Sequence, residues 1–432
     1  MASPVNPPRG MRDFLPADKA RREHVLSVIR ETFRAHGFDE IETPVVEDSA
    51  RLHAGLGGDN EKLSFAVMKR DLSRETLEAA ASADDALQLA DLGLRFDLTV
   101  PLARFYATHR AELPRVFRSI QIAPVWRAER PQRGRYRQFM QCDIDIIGDD
   151  SQLAEVELIT ATAAALTALG LDGCSIRIND RRILRSIVAD LGIAPDGFER
   201  ALIVIDKEDK IGADGVVREL AEAGLLPKDA VAAATAHLKS MSELDNHGWS
   251  LLEGPAAPPT WLDQPAYVDL LALRAAVAAS GISAHLVFSP NLVRGMGYYT
   301  GTIFEIAHPD LDYSLGGGGR YDGMIGRFLG TDVPAAGFSL GFERLVDLVE
   351  LPDDATTDSI GLVYEPDVAA AVLARLKAEL VASGSRVTLA PRARNSKQQL
   401  DQLAAQGFAR FAFVTDAVVS AEDLEVRTIS AG

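Results

Sequence analysis

The spacing of apolar positions predicts a chain that mixes helices and strands and opens with a helix. After Pro16, apolar residues recur with the helical period, and Gly37 ends the predicted helix. A short strand over residues 41–46 follows, and it contains Pro44, which cannot donate to a β-ladder. The strand is therefore expected at a sheet edge, where either a dimer partner or the chain itself covers it.

The segment 115–148 has the clearest β pattern, namely strand, basic loop and strand, with Pro124 and the region of Gly134 predicted to mark the turn. Alternation in the second strand places four residues on one face: Phe139, Gln141, Asp143 and Asp145. The opposite face carries Met140, Cys142, Ile144 and Ile146. An apolar face packs into a core, whereas a polar face with one aromatic ring is suited to a ligand.

Weaker patterns complete the organisation of the chain. Residues 71–92 are interpreted as a helical excursion, 152–169 as an amphipathic helix ending at Gly170, and roughly 180–280 as an inserted helical module. Strands are expected at 283–289 and 297–307, and a strand feeding a helix at 337–344. After the acidic linker LPDDATTDS, β/α alternation predicts a separate domain, with strands at 360–364, 386–389 and 411–414 and helices near 367–383 and from Ser396.

Composition and charge narrow the possible functions. The 432 residues exceed one compact core, and 47% apolar with 25% charged residues is ordinary for globular domains. Without a signal sequence or a long apolar span, and with only Cys142 and Cys174, we expect a soluble cytoplasmic protein with no membrane contact. A net charge of −17 disfavours non-specific binding of nucleic acid. The five arginines of RAERPQRGRYR, residues 127–137, either bind one part of an RNA or form a solvated cluster.

Several common catalytic motifs are absent. The run Gly316–Gly319 lacks the Lys-Ser/Thr of a P-loop, and Tyr321 stands where the dinucleotide fingerprint needs a small residue. These glycines instead suggest close approach of the backbone to a ligand or another strand, or a plain bend. The eight histidines include no HExxH, and no nucleophile elbow occurs, so neither a catalytic zinc site nor a serine nucleophile is expected.

Four arginines on different predicted elements fit a triphosphate: Arg127, Arg135, Arg294 and Arg344. Guanidinium groups bind phosphate oxygens in a bidentate manner and stay charged when dehydrated. Taken singly, each is more often a surface or ion-pair residue.

The motifs around these arginines resemble those of histidyl-tRNA synthetases, which are class II aminoacyl-tRNA synthetases. FRSIQIAPVWRAERPQRGRYRQFMQCDIDIIG resembles class II motif 2, and GFSLGFERL resembles motif 3. LVRGMGYYTGTIFE and GGGGRYDGM are similar to the two histidine-specific signatures, and RGMRDFLP, LRFDLTVP and INDRRIL also match. The resemblance spans essentially the whole chain.

The resemblance implies an α+β fold, with a six-stranded antiparallel catalytic sheet flanked by helices. It implies a catalytic domain from residues 1–180 and 281–350, a helical insertion at 181–280 and a C-terminal α/β anticodon-binding-type domain at 359–432. Histidine, ATP with Mg²⁺, and tRNA(His) are the implied substrates, and a homodimer is the implied assembly. Protein ligands for a metal are not expected.

Residue roles also follow from the resemblance. Arg127 would hold the α-phosphate and the substrate carboxylate, Phe139 would stack on adenine, and Arg135 and Arg344 would hold the outer phosphates. Arg294 would stabilise the charge that develops at the α-phosphate. The histidine-binding set is Asp97, Thr99, Gln141, Asp145, Arg294, Tyr298, Tyr299 and Tyr321, in which Asp145 and Tyr299 would bind the imidazole nitrogens and Asp97, Thr99 and Gln141 the amino group. Gln132, Arg137, Arg392 and Arg394 are candidate tRNA contacts, with Lys397 nearby.

One position departs from the family pattern, and two alternatives remain. Gly297 stands where the family usually has Asp, which predicts a changed supporting contact. A histidine-binding regulatory paralogue of histidine biosynthesis would lack residues equivalent to 359–432 and would lose catalytic arginines, whereas this chain retains both. A class II synthetase for another amino acid would lack the two histidine-specific signatures.

Overall fold

The protein is described by a computed structural model that covers residues 5–54, 63–83, 85–131, 135–242, 244, 248–253, 257–294, 298–350 and 358–429. Two compact units make up the chain, one of Met1–Arg12 with Leu26–Val349, and one of Asp13–Val25 with Glu350–Gly432. Residues 181–280 belong to the first unit, so their assignment as an inserted module stays a prediction, as do the other predicted domain boundaries.

The first unit is built on an eight-stranded sheet. In sheet order its strands are β1 (Asp39–Glu40), β5 (Phe117–Trp126), β6 (Gln138–Ile147), β11 (Ala335–Leu340), β10 (Gly316–Arg320), β9 (Thr302–Ala307), β7 (Ser175–Asp180) and β8 (His285–Phe288). The six middle strands pair antiparallel, while β1 and β8 add parallel strands at the two edges. A small antiparallel sheet holds β2 (Val46–Asp48), β3 (Phe65–Met68) and β4 (Ala90–Leu94). The antiparallel core implied by the resemblance is therefore confirmed.

The helices of the first unit flank these sheets. They are α1 (Pro16–Ala35), which is shared with the second unit, α2 (Ser49–Ala54), α3 (Arg74–Ala83), α4 (Thr99–His109), α5 (Leu153–Ala168), α6 (Arg181–Asp190), α7 (Phe198–Ile205), α8 (Glu208–Glu222), α9 (Val231–Ser242), α10 (Gln264–Ala279), α11 (Asp322–Leu329) and α12 (Phe342–Leu348). The prediction of an amphipathic α5 is wrong, because this helix packs between the sheet and α10 and is buried on nearly every face. Even Glu155 is buried there, where it pairs with Arg320 at 2.6 Å.

The predicted strand over residues 41–46 is also wrong. The chain instead forms β1 before this segment and β2 at its end, in two different sheets, with Pro44 between them. Arg95 holds the connection, since its Nη1 donates to the carbonyl of Thr43 at 2.7 Å and to that of Pro44 at 3.3 Å. The proline that cannot join a ladder is thus placed where no ladder is needed.

Pro124 lies inside β5 rather than in the turn. It pairs with Met140 of β6. Two residues later along the strand, the amide of Trp126 donates to the carbonyl of Arg95 at 2.9 Å and not to β6. Since strand amides alternate in direction, the missing N–H of proline costs no ladder bond. Gly134 lies outside the described residues.

Other predicted elements are found with shifted ends. The excursion at 71–92 holds α3, a 3₁₀ turn at Ala86–Leu89 and the start of β4, and the strand expected from 297 begins at Thr302. The first helix is confirmed, with Val25, Ile29 and Phe33 fully buried and Gly37 at φ +85° beyond its end. Among the described residues, no helix combines the length and apolar character needed to cross a membrane. Both cysteines are buried, and neither forms a disulfide.

The second unit contains the predicted C-terminal β/α alternation. Its elements after residue 358 are β12 (Ser359–Tyr364), α13 (Ala370–Ala382), β13 (Arg386–Pro391), α14 (Ser396–Ala405), β14 (Arg410–Val414) and β15 (Arg427–Thr428). The sheet order is β13-β12-β14-β15, and the first three strands are parallel. Buried apolar residues from the two central strands and α13 form its core.

Candidate active site

The glycine run forms the centre of the sheet and is neither a turn nor a nucleotide loop. A Cβ at Gly318 would lie 1.9 Å from the carbonyl oxygen of Gly337 on β11, and a Cβ at Gly317 would lie 2.4 Å from Cζ of Arg294. These positions therefore admit only glycine, one because the strands are close and the other because a guanidinium lies over the strand. The interpretation of close backbone approach to another strand is confirmed, whereas approach to a ligand stays a prediction.

One end of this sheet face holds a polar pocket of about 540 Å³. The predicted histidine-binding residues all line it: Asp97, Thr99, Gln141, Asp145, Arg294, Tyr298, Tyr299 and Tyr321. Asp143, to which no role was assigned, lines it as well. Gln141, Asp143 and Asp145 share the face of β6 that strand alternation predicted, while Cys142, Ile144 and Ile146 are buried beneath it.

Asp145 and Tyr321 form the deepest polar pair of the pocket. The hydroxyl of Tyr321 donates to Oδ1 of Asp145 at 2.6 Å, and the two residues are 2% and 4% exposed, respectively. Gly337 leaves room for the carboxylate, because a Cβ there would lie 2.0 Å from the same Oδ1. Burial raises the pKa of Asp145 to about 7, against the opposing effect of the tyrosine hydrogen bond. A carboxylate that titrates near neutrality is suited to an imidazole N–H.

Asp97 and Thr99 come from the N-terminal end of α4. Oδ1 of Asp97 accepts the backbone N–H of Val100 at 3.2 Å. Burial raises the pKa of Asp97, while this hydrogen bond and the nearby positive charge of Arg127 oppose the shift. The carboxylate of Asp97 is therefore positioned by the N-terminal turn of α4.

Two adjacent tyrosines form the opposite wall. The ring centroids of Tyr298 and Tyr299 lie 4.2 Å apart, and that of Tyr298 lies 6.2 Å from Tyr321. Burial raises the pKa of both hydroxyls, so these groups remain neutral hydrogen-bonding partners at physiological pH.

A second cleft of about 530 Å³ continues from this pocket along the sheet. The four predicted phosphate-binding arginines and the predicted adenine platform line it: Arg127, Arg135, Arg294, Arg344 and Phe139. The two clefts share six lining residues: Arg127, Arg135, Gln141, Arg294, Gly317 and Ser339. Because these walls are shared, a ligand could extend without interruption from the acidic pocket to the arginine-rich cleft.

Backbone and aromatic contacts position two of the arginines. Arg127 donates through Nε to the carbonyl of Phe96 at 3.0 Å, and its Cζ lies 5.0 Å from the ring centroid of Phe139. Arg344 donates to the carbonyl of Ser314 and lies 4.9 Å from the ring of Tyr313. Burial and the positive charges of Arg135 and Arg294 lower the pKa of Arg344. Positive groups held this close together favour a polyanionic ligand.

A carboxylate holds the third arginine. Arg294 Nη1 donates to Oε2 of Glu305 at 2.5 Å, and Oε1 of Glu305 lies 3.6 Å from Nη1 of Arg177. Arg177 in turn donates through Nε to the hydroxyl of Ser289 at 3.1 Å. This chain of contacts holds the Arg294 guanidinium over Gly317, at the junction of the two clefts.

None of the predicted tRNA contacts that the structure describes is among the residues that line the two clefts. Gln132 and Gly297 are outside the described residues. Arg137 is not among the cleft residues, and its Nε donates to the carbonyl of Glu129 at 3.0 Å. Arg392 and Arg394 lie between β13 and α14 as predicted, and Arg392 pairs with Glu365.

Sequence reasoning missed several residues that line the arginine cleft: Glu129, Glu305, Tyr313, Asp206 and Lys210. Glu305 alone had a local signal, since it is a charged residue between the apolar positions of β9. The last two come from the predicted helical module, where Asp206 follows α7 and Lys210 lies near the start of α8. No local pattern connects them to the sheet.

Comparisons with known proteins agree with this geometry. Residues 10–345 match the model of the histidyl-tRNA synthetase family. A histidine–tRNA ligase of Leifsonia xyli subsp. xyli is 61% identical over 433 residues, covering 100% of both chains. The crystal structure of histidyl-tRNA synthetase from Nostoc sp. PCC 7120 has a TM-score of 0.74 at 22% identity, covering 99% of this chain and 95% of that one. A Bacillus halodurans structure described as an ATP phosphoribosyltransferase regulatory subunit/histidyl-tRNA synthetase has a TM-score of 0.72 at 22% identity, covering 96% and 99%.

Proposed function

The chain belongs to the histidyl-tRNA synthetase family, and we propose that its two joined clefts are the site where histidine is activated. The family membership makes the chain a histidine–tRNA ligase whose substrates are histidine, ATP and tRNA. The proposal concerns which residues bind and activate them. One observation carries it, namely that an acidic pocket and an arginine-rich cleft share walls on one sheet face.

Recognition of histidine takes place in the acidic pocket. The carboxylate of Asp145, held by Tyr321, accepts one imidazole N–H, and the hydroxyl of Tyr299 binds the other ring nitrogen. Asp97, Thr99 and Gln141 bind the α-amino group. An apolar side chain of similar size leaves the buried Asp145 and Tyr299 without partners, which selects against it.

Activation takes place where the clefts meet. Arg127 orients the substrate carboxylate and the α-phosphate, Phe139 stacks on adenine, and Arg135 and Arg344 bind the outer phosphates. A carboxylate oxygen of histidine attacks the α-phosphorus, the bond to the β-phosphate bridging oxygen breaks, and pyrophosphate leaves with the electron pair. Arg294 stabilises the charge on the α-phosphate oxygens during this step. Mg²⁺ enters with ATP as part of the substrate.

Transfer completes the reaction. A hydroxyl of the terminal ribose of tRNA(His) attacks the acyl carbon of histidyl-adenylate, its proton is lost, and AMP leaves. Gln132 and Arg137 belong to the loop expected to bind the acceptor end, and Arg392 and Arg394 to the domain expected to bind the anticodon. We further propose a cytoplasmic homodimer, divided into the catalytic, inserted and C-terminal domains predicted from the sequence.

A histidine-binding regulatory protein is less supported. The fold does not separate the two functions, because one structural neighbour carries both descriptions. The site does, since Arg127, Arg135, Arg294 and Arg344 all line one cleft next to the histidine pocket. A protein that only senses histidine has no use for four convergent guanidinium groups at a triphosphate-sized space.

Exchange of pyrophosphate into ATP, measured separately in the presence of each amino acid, tests the proposal. We expect exchange with histidine alone. Replacing Arg294 by Ala should reduce the exchange rate by a larger factor than it weakens equilibrium binding of histidine. Exchange with no amino acid would support the regulatory alternative, and normal exchange by the Arg294→Ala variant would remove this residue from the mechanism.

A further inference from the structure

Asp143 lies in the histidine pocket, and the mechanism above gives it no role. It lies on β6 between Gln141 and Asp145, opposite Ser339 of β11, and is 5% exposed. Its Oδ2 accepts a hydrogen bond from Nε2 of Gln141 at 3.2 Å. The carboxylate therefore lines the pocket at the level of the residues proposed to bind the α-amino group.

Among the described residues, no cation contributes to the electrostatic environment of Asp143. Burial, together with the negative charges of Asp145 and Asp97, raises the pKa of Asp143 well above its ordinary value. The positive charge of Arg127 lowers the pKa of Asp97. The groups that lower the pKa of Asp143 are instead the neutral hydrogen-bonding side chains of Ser339 and Gln141. A buried carboxylate in such surroundings is stabilised by a cation from outside the protein.

A second and independent feature points to the same ligand. Oε1 of Gln141 is buried and has no hydrogen-bond partner among the described residues, and the residue as a whole is 9% exposed. The Nε2 of this amide already contacts Asp143 and Ser339. A buried acceptor left open at the wall of a pocket is normally satisfied by a donor on the ligand.

The two features together define the ligand group. An anion and a neutral acceptor next to each other require a cation with several N–H donors. A metal ion is disfavoured, because no set of three or more His, Cys, Asp or Glu side chains in the described part of the chain is placed to hold one. A primary ammonium group has one charge and three donors, which matches the carboxylates of Asp97 and Asp143 and the oxygen of Gln141.

We propose that Asp143 is a further binding residue for the α-ammonium group of the amino acid substrate, acting together with Asp97 and Oε1 of Gln141. This inference rests on the proposed function of the pocket. When the ammonium group binds, Asp143 becomes its ion-pair partner. Histidine is thus selected at both ends by a carboxylate of the same strand, the imidazole by Asp145 and the ammonium by Asp143.

The test compares histidine with 3-(imidazol-4-yl)propanoate, which keeps the imidazole and the carboxylate but lacks the amino group. The KM for histidine and the Ki for the analogue are measured in pyrophosphate exchange. Asp143→Asn should weaken histidine about 10- to 100-fold, the range for a hydrogen bond to a charged group, and the analogue by less than about threefold. Asp145→Asn should instead weaken both ligands to a similar extent, because both carry the ring.

Asp172→Asn, at an exposed site, is the matched control and should change neither constant. If Asp143→Asn weakens both ligands equally, or neither, Asp143 has at most a structural role and the inference is overturned. If the wild-type protein performs no histidine-dependent exchange, the proposed function itself fails, which is a different result.

Discussion

Gly337→Ala is the smallest change expected to disable histidine recognition while leaving the arginine cleft intact. The added Cβ would lie 2.0 Å from Oδ1 of Asp145 and 3.2 Å from Cε1 of Tyr321. Because unbonded heavy atoms settle near roughly 3.5 Å, the carboxylate must move by about 1.5 Å. Such a shift breaks the 2.6 Å hydrogen bond from Tyr321 and removes the acceptor from the imidazole.

A displacement of about 1 Å in a binding group can lower a rate about 100-fold, so we expect kcat/KM for histidine to fall by that factor or more. The KM for ATP should stay within about threefold, since no arginine is touched. Pyrophosphate exchange, with histidine and ATP varied in turn, measures kcat/KM for histidine and the KM for ATP. Tyr321→Phe, which removes the hydroxyl without adding bulk, should produce a smaller loss in the same direction.

Gly323→Ala, on α11, is the matched control, because a Cβ there would have no atom within 4 Å apart from the helix's own backbone. It should leave both KM values unchanged, and thermal unfolding should give similar Tm values for both variants. A folded Gly337→Ala protein with wild-type histidine kinetics would refute the placement of Asp145 in the histidine site.

Three further predictions concern charge, pH and packing. Glu305→Gln should lower kcat for exchange about tenfold with little change in the KM for histidine, because the Arg294 guanidinium loses the carboxylate that orients it. An unchanged kcat would show that Arg294 is positioned without the Glu305 carboxylate. The KM for histidine should rise as pH falls from 8 through 7, because a pKa of about 7 for Asp145 means that acid protonates the acceptor. The free imidazole also gains a proton near pH 6.5. A constant KM between pH 8 and 6 would contradict this prediction. Gly318→Ala should destabilise the whole first unit by more than about 3 kcal/mol, because the added Cβ would lie 1.9 Å from the carbonyl oxygen of Gly337 in the next strand. A Tm within a few degrees of wild type would show that the two strands can move apart.

Local patterns determined much of this protein in advance. Alternation along residues 138–147 was sufficient to place Gln141, Asp143 and Asp145 on one face, because side chains of a strand point to opposite sides in turn. Helical period and glycine ends located α1, and β/α alternation located the elements of the C-terminal segment. The histidine-specific signatures carried the identity of the substrate.

Only the tertiary structure decided how distant segments meet. Asp143 was visible on the ligand face, but its pKa is raised in part by the negative charge of Asp97, which lies 46 residues earlier in the chain. The burial of α5 on nearly every face follows from packing against the sheet and α10, which one helix's own periodicity does not contain. The division of residues 39–48 between two sheets depends on Arg95, and the contribution of Lys210 to the arginine cleft depends on the position of a whole helical segment. In each case the deciding interaction joins residues that are far apart in the chain, so no local sequence pattern predicts it.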